Sequence, residues 1–338
     1  MNEFDYLKKL RERVRVGSAG TGLVRGIGDD AAVFGVSPER HVVISTDLLI
    51  EDVDFRLDTT RPELLGHKAL AVSLSDIAAM GARPRWALVS IAVTEAVWHS
   101  DFLDQFYEGF FQLADRLGVK LIGGDLSKTE AKIAIDSVLL GECRTGQEVL
   151  RSGAQPGDQI YVTGYLGDAA AGLRLLERGA RVHTTSTGRR ETNSVDHLLL
   201  RQLQPEPRVG WGILLGEQRL ATSMIDISDG LSSDLNHLCE ESGVGAVVEA
   251  ASLPIDTVVR EICGRRALDP LMLALHGGED YELLFTVAPQ NVSRLPKRVD
   301  GVSVTRIGEI REASEGVRIS EGAKIWKLEP GGWEHFKE

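Results

Sequence analysis

The sequence predicts an α/β (α+β) protein built from two mixed α/β domains, and three observations carry that expectation. At 338 residues the chain is about twice the usual domain length of roughly 150 residues. Strand-like apolar runs mix with helix-period segments in both halves. Between the halves, residues 143–158 (CRTGQEVLRSGAQPGD) concentrate turn formers, which marks a boundary. The domains are therefore drawn as 1–145 and 146–338.

The elements follow in order. Met1 to Val16 reads as a short helix with Phe4, Leu7 and Leu10 on one face. Gly17 to Gly28 holds five glycines among small polar residues and reads as a loop. His41 to Thr46 (HVVIST) reads as a strand ending at Asp47. Pro62 suits the first turn of a long helix running to Met80, with Gly81 as its stop. Trp86 to Val93 is a second strand. Ser100 caps a helix that carries Phe102, Phe106, Phe110, Leu113 and Leu117 at helical spacing and closes at Gly118; those aromatics are read as core or as a subunit seam. A short strand, Val119 to Ile122, meets Gly123-Gly124-Asp125, and Lys132 to Leu140 is the next strand. In the second half, a strand at Gln159 to Thr163 precedes a helix at Leu166 to Arg178. Arg181 to Asn193 reads as an exposed polar loop. A strand at Ser223 to Ile227 leads through Ser228-Asp229-Gly230 into a helix at Leu231 to Glu241. Further strands are expected at Tyr281 to Val287 and Val302 to Ile307.

Composition excludes several function classes. Hydrophobic residues make up 43% and charged residues 26%, the balance of a globular chain rather than a disordered one. The net charge is −12 with no basic cluster, which argues against nucleic acid as a partner. The three cysteines, Cys143, Cys239 and Cys263, form no CxxC pair and read as thiols in a reducing compartment. The charged start MNEFDYLKKLRERVRV lacks the apolar centre of a signal peptide. No stretch reaches the ~18 apolar residues of a membrane span. A cytoplasmic protein is expected.

The familiar nucleotide and hydrolase motifs are missing: no GxxxxGK[ST], no GxGxxG opening a helix, no HExxH and no GxSxG. What recurs is an acidic residue where an apolar strand ends or a glycine turn begins. Asp29 and Asp30 follow Gly26-Ile27-Gly28, Asp47 ends HVVIST, Asp125 follows Gly123-Gly124, and Asp226 and Asp229 flank Ser228. Glu279 and Asp280 follow Gly277-Gly278. Asp76 lies in an otherwise apolar helical stretch, where a charge is costly unless it is paired or binds a metal. Carboxylates meeting in one cleft repel unless cations sit among them, and Mg²⁺ takes oxygen ligands that it shares with phosphate. The combination reads as a Mg–polyphosphate site working by positioning and charge neutralisation. Singly, a GDD or SDG tripeptide reads as a turn, Asp76 as a partner for a buried Lys or Arg, His67 and His276 as packing residues, and Trp333 as a C-terminal apolar anchor. Their joint occurrence carries the functional reading.

Together these segments resemble the thiamine-monophosphate kinase family, within the superfamily of aminoimidazole-ribonucleotide synthetase. The matching stretches are GIGDDAAVF (Gly26 to Phe34), ISTDLLIEDVDF (Ile44 to Phe55), HKALAVSLSDIAAMGARP (His67 to Pro84), LIGGDLSKT (Leu121 to Thr129), LRSGAQPGDQIYVTGYLGDAAAGL (Leu150 to Leu173), IDISDGLSSDL (Ile225 to Leu235) and GGEDYELLFTV (Gly277 to Val287). They occur in the family's order. The resemblance implies phosphorylation of thiamine monophosphate to thiamine diphosphate, with ATP as co-substrate and several Mg²⁺ ions. Transfer would be direct, with no protein nucleophile. It also implies a homodimer whose N-terminal sheets pair, residues 1–145 holding ATP and Mg²⁺ and residues 146–338 completing the nucleotide and substrate site. On matching positions, Asp30, Asp47, Asp76, Asp125, Asp226 and Asp229 would hold magnesium, with oxygens from Ser45 and Thr46. Gly124, Asp125, Arg151 and Ser228 would contact ATP, with Tyr107 near the nucleotide. Glu279 and Trp333 would line the thiamine site, where an aromatic face suits a cationic thiazolium. One position departs from the pattern: the family's V-H-F-like triplet is here Val53-Asp54-Phe55, which leaves Asp54 as a substrate-site candidate with a carboxylate in place of an imidazole. The alternatives are another ATP-using sibling of the superfamily (the aminoimidazole-ribonucleotide synthetase or hydrogenase-maturation dehydratase type) and a non-catalytic nucleotide- or metal-binding protein. Selenophosphate synthetase usually needs a reactive N-terminal Cys, and no Cys precedes Cys143.

Overall fold

The computed structural model describes residues 11, 22–182, 194–266 and 268–334. Apart from Arg11, the helix expected over Met1 to Val16 lies outside the described residues, as do the start of the Gly17–Gly28 loop and most of Arg181 to Asn193.

The first sheet has six strands in the order β1-β2-β3-β6-β4-β5. They are β1 (Leu23–Arg25), β2 (Ala32–Ser37), β3 (Arg40–Ile50), β4 (Arg83–Val93), β5 (Lys120–Lys128) and β6 (Ala134–Arg144). All neighbours are antiparallel except β4 and β5. Helix α1 (Pro62–Ala79) packs on β3, β4 and β6 and against α3 (Phe102–Leu117), with the short α2 (Glu95–Trp98) between β4 and α3. Helix α1 starts with Pro62 in its first turn and stops before Gly81, whose φ of 68° no other residue adopts as easily. It shows no polar stripe because it has no solvent face: one side meets the sheet and α3, the other meets α6 and β8 of the second half. Its crossing with α3 depends on two glycines. A Cβ on Gly66 would sit 1.8 Å from the Phe106 carbonyl oxygen, and one on Gly109 would sit 1.7 Å from that of Glu63. Helix α3 is amphipathic as expected, with Phe102, Phe106, Phe110 and Leu113 buried and Gly118 left-handed at its end. Asp101 directly precedes it, while the Ser100 hydroxyl accepts the Phe102 N–H at 3.2 Å.

The second sheet has eight strands. Its main path is β14-β13-β9-β12-β7-β10-β8, with β11 beside β12. These are β7 (Gln159–Thr163), β8 (Ala221–Asp226), β9 (Gly245–Glu249), β10 (Leu283–Val287), β11 (Arg298–Val299), β12 (Val302–Arg311), β13 (Val317–Glu321) and β14 (Lys324–Lys327). Its helices are α4 (Asp168–Glu177), α5 (Ser194–Leu203), α6 (Val209–Glu217), α7 (Leu231–Ser242), α8 (Thr257–Arg266) and α9 (Pro270–His276). Two apolar clusters form the core, one including α1, α3 and the first sheet, the other under the second sheet. Cys239 and Cys263 are buried and Cys143 half-buried, all as free thiols. Among the described residues no helix is long and apolar enough to cross a membrane.

Several boundaries differ from the sequence expectation. Leu23–Arg25, inside the expected glycine loop, is a strand because it pairs with β2. Strand β3 runs past Asp47 to Ile50, since β6 continues to pair with it. Strand β5 does not end at Ile122: it ladders in parallel with β4 through Gly123, Gly124 and Asp125 to Lys128, so this GGD segment is strand and not turn. Helix α6 (VGWGILLGE) was hidden by its three glycines, and packing against α1 overrides their weak helix propensity. A Cβ on Gly212 would meet the Ala78 carbonyl oxygen at 2.1 Å. Helices α5, α8 and α9 and strands β2, β9, β13 and β14 carried too short a pattern to be placed.

Candidate functional site

Acidic residues from both halves converge at the seam between the sheets. Asp30 comes from the glycine loop before β2, Asp76 from the last turns of α1, and Asp226 from the end of β8. One carboxylate oxygen from each lies within 4.8 Å of the others. Asp30 and Asp226 are buried and Asp76 half-buried. Alternation along β3 turns Ser45 and Asp47 toward α1 and turns Thr46 to the opposite face. The α1 sequence SLSD then supplies hydroxyls. Ser73 donates to Asp47 at 2.6 Å and Ser75 to Asp226 at 2.6 Å, while Ser45 of β3 donates to Asp76.

The cluster is short of positive charge. Burial, then the carboxylates of Asp47, Asp226 and Asp30, push Asp76 well above the usual carboxylate range. Burial, then Asp30, raises Asp226 to about 8; burial raises Asp47 to about 6. Asp76 also lies near the C-terminal end of its helix, where the helix dipole disfavours an anion. Arg151 supplies one direct cation, forking onto Asp30 at 3.1 and 2.9 Å. Beside it Arg25 bonds Asp29 at 2.9 Å and Ser152 at 3.2 Å. Asp29 accepts the Arg151 backbone N–H at 3.2 Å, and burial, followed by Asp30, raises it to about 6.

The remaining expected residues fall in different places. Thr46 bonds Asp136 at 2.8 Å on the outer face of the first sheet. Asp125 is exposed on the edge strand β5, paired with Ser90, and does not join the three-aspartate group. Gly124 lies in strand β5, where its φ is 152° and a Cβ would sit 1.9 Å from the Val89 carbonyl oxygen. Tyr107 is half-buried among Phe106, Phe110 and Phe111. Ser228 and Asp229 form the turn before α7. The Ser228 carbonyl accepts from the Glu279 N–H at 2.7 Å, and the Asp229 carbonyl accepts from the Trp333 N–H at 3.0 Å. Trp333 is 56% exposed, so it is not a buried anchor. Asp54 closes its own turn by accepting the Ile50 N–H at 2.7 Å, a local duty that a carboxylate performs well. Glu279 is paired with Lys68 at 2.6 Å. His67 and His276 are packing residues bonded to the Pro205 carbonyl and the Ser232 hydroxyl, each at 2.8 Å.

Sequence reasoning missed Ser73, Ser75, Asp136, Asp234, Arg25 and Lys68. The two serines were legible in principle, since they stand just before Asp76 in an otherwise apolar helix. Asp234 sits one turn into α7, where burial, then Asp229 and Asp226, raise it well above the ordinary range.

Buried, mutually repelling carboxylate oxygens backed by hydroxyls are the donor set a hard divalent cation takes, so Asp30, Asp76 and Asp226 fit Mg²⁺. A second grouping, Asp168, His197 and Asp256, comes from the second half alone, with the Arg201 guanidinium 3.7 Å from Asp168.

Comparisons with known proteins give the chain's family and fold. Residues 28–143 match the family model "AIR synthase related protein, N-terminal domain", and residues 155–320 match its C-terminal counterpart. The chain is 37% identical over 337 residues to a thiamine-monophosphate kinase of Escherichia coli (strain K12), covering 99% of this chain and 98% of that protein. It is 36% identical over 342 residues to that of Bacillus subtilis (strain 168), covering 100% of each. A solved structure described as AaThiL complexed with AMPPCP and TMP superposes with a TM-score of 0.83 at 33% identity, covering 99% of this chain and 97% of that one.

Proposed function

The chain belongs to the thiamine-monophosphate kinase family of AIR synthase related proteins, and we propose that the carboxylate cleft between its two halves is where that family's reaction takes place. It is an ATP-dependent kinase that converts thiamine monophosphate to thiamine diphosphate. The observation that carries the site assignment is the convergence of Asp30, Asp76 and Asp226, from both halves of the chain, within 4.8 Å.

Asp30, Asp47, Asp76 and Asp226 would hold Mg²⁺, with Ser45 as a neighbouring oxygen and with Thr46, Asp125 and Asp229 serving further ions at the rim. Bound Mg²⁺ would bridge phosphate oxygens and offset the charge on the transferred group. Arg151 anchors Asp30 and presents a planar guanidinium to ATP phosphate oxygens. The Ser228-Asp229-Gly230 turn opens helix α7, whose N-terminal dipole favours an anion. Gly124 and Tyr107 would contact the nucleotide. Glu279, Asp54 and the open indole of Trp333 would receive the acceptor, with the indole stacked on the thiazolium. The acceptor phosphate is already anionic at neutral pH, so in-line transfer needs neither a protein nucleophile nor a strong base.

We also propose a homodimer formed through the first sheet. Its support is β5, an edge strand with Ile122 58% and Leu126 47% exposed, a combination that favours pairing with another chain. The domain boundary at 145/146 is supported by the position of the break between β6, which closes the first sheet, and β7, which opens the second.

The test is a product assay with ATP, Mg²⁺ and thiamine monophosphate. Thiamine diphosphate and ADP should appear in equal amounts. ADP formed with free phosphate, or bound ATP left intact, would contradict the reading.

A further inference from the structure

Lys68 lies on α1 with 2% of its side chain exposed. A buried ammonium is costly unless it is paired and hydrogen-bonded, and this one has partners on two other segments. Its Nζ lies 2.6 Å from Glu279 Oε1 and donates to the Asp54 carbonyl at 3.4 Å. The other Glu279 oxygen accepts from the Gln202 amide of α5. Glu279 itself has a left-handed backbone, φ 63°, as does Tyr281 at φ 50°. Non-glycine residues hold that conformation only where their surroundings impose it.

We propose that Lys68 is a positioning residue of the acceptor pocket, holding the Glu279 carboxylate and the Asp54 turn in one arrangement around the phosphate monoester that carries the thiazolium cation. The proposal rests on the kinase reading above. Three features separate this contact from ordinary packing. Lys68 comes from the first half and Glu279 from the second, so the pair ties the halves together at the pocket. Lys68 is sealed while Glu279 keeps 28% of its side chain open, so the ammonium orients a carboxylate that faces outward. An apolar side chain would satisfy a purely structural role at this depth as well as an ion pair does.

The experiment is steady-state kinetics on the full chain, per folded molecule, for wild type, Lys68→Met, Glu279→Gln and the double variant. Lys68→Met should raise the KM for thiamine monophosphate by about 10- to 100-fold while the KM for ATP stays in place. Adding Glu279→Gln to Lys68→Met should change that KM little, because the two side chains act as one unit. The double variant also removes the carboxylate left without its cation, so it remains measurable if Lys68→Met folds poorly. If wild type is active and both variants keep the wild-type KM for thiamine monophosphate, or lose ATP affinity equally, Lys68 has no positioning role and the kinase reading stands. If wild type forms no thiamine diphosphate, both fall.

Discussion

Asp280 shows how one side chain carries a pH dependence into the whole fold. It is buried beside the N-terminal end of α4, where its oxygens accept from the Gly167 and Ala169 N–H groups at 2.7 and 3.1 Å. Burial nevertheless raises its pKa to about 7, against the lowering effect of Arg201. A carboxyl whose folded pKa exceeds its unfolded value binds more protons when folded, so its contribution to stability falls as pH rises from about 4 to about 7. Asp280→Asn should flatten that slope, which urea unfolding at pH 5 and pH 7 would detect; an unchanged slope would remove Asp280 as its source. The same physics explains which single residues were legible. Asp76 stood out because a charge in an apolar helix demands a reason, and Asp30 and Asp226 because each lies at a glycine turn or a strand end. Lys68 did not, because its partner Glu279 lies more than two hundred positions away and no local pattern links them.

At the scale of elements, legibility followed periodicity. Helices α1 and α3 were placed within a residue or two because Pro62, Gly81 and Gly118 punctuate long runs. Helix α6 escaped because Gly212, which looks like a breaker, is in fact its contact point for α1. The α1–α3 crossing makes the corresponding prediction. Gly109→Ala must push α3 away from the Glu63 carbonyl, and overpacking of this kind typically lowers stability by about 1–3 kcal/mol. Chemical denaturation would measure it; a neutral substitution would mean the helices are not in this close contact. Strand β5 was read too short because its exposed GGD segment resembles a turn, and only its parallel ladder with β4 makes it a strand.

At the scale of the whole molecule, the two-domain plan was visible in the turn-rich segment before β7, but the way the halves meet was not. The seam carries the proposed site, and α1 is packed from both sides to form it. The outer edge of the first sheet carries the proposed dimer: Ile122→Glu with Leu126→Glu should leave a folded monomer in sedimentation experiments, and a dimer unaffected by both charges would place the interface elsewhere.

The aspartate cluster is held in a repelling arrangement, which on the proposed reading a bound cation relieves. Burial and neighbouring carboxylates raise Asp226 to about 8 and burial raises Asp47 to about 6. Metal-free protein should therefore lose stability as pH climbs from about 4 toward 8, and Mg²⁺ should reverse that loss. Thermal melting of wild type and Asp226→Asn at pH 8, with chelator and with Mg²⁺, tests this most directly. The account predicts that the variant melts higher than wild type without metal, and that Mg²⁺ raises the wild type far more than the variant. A variant that melts lower without metal, with an equal gain from Mg²⁺, would show that these carboxylates support the fold and not a metal–phosphate site.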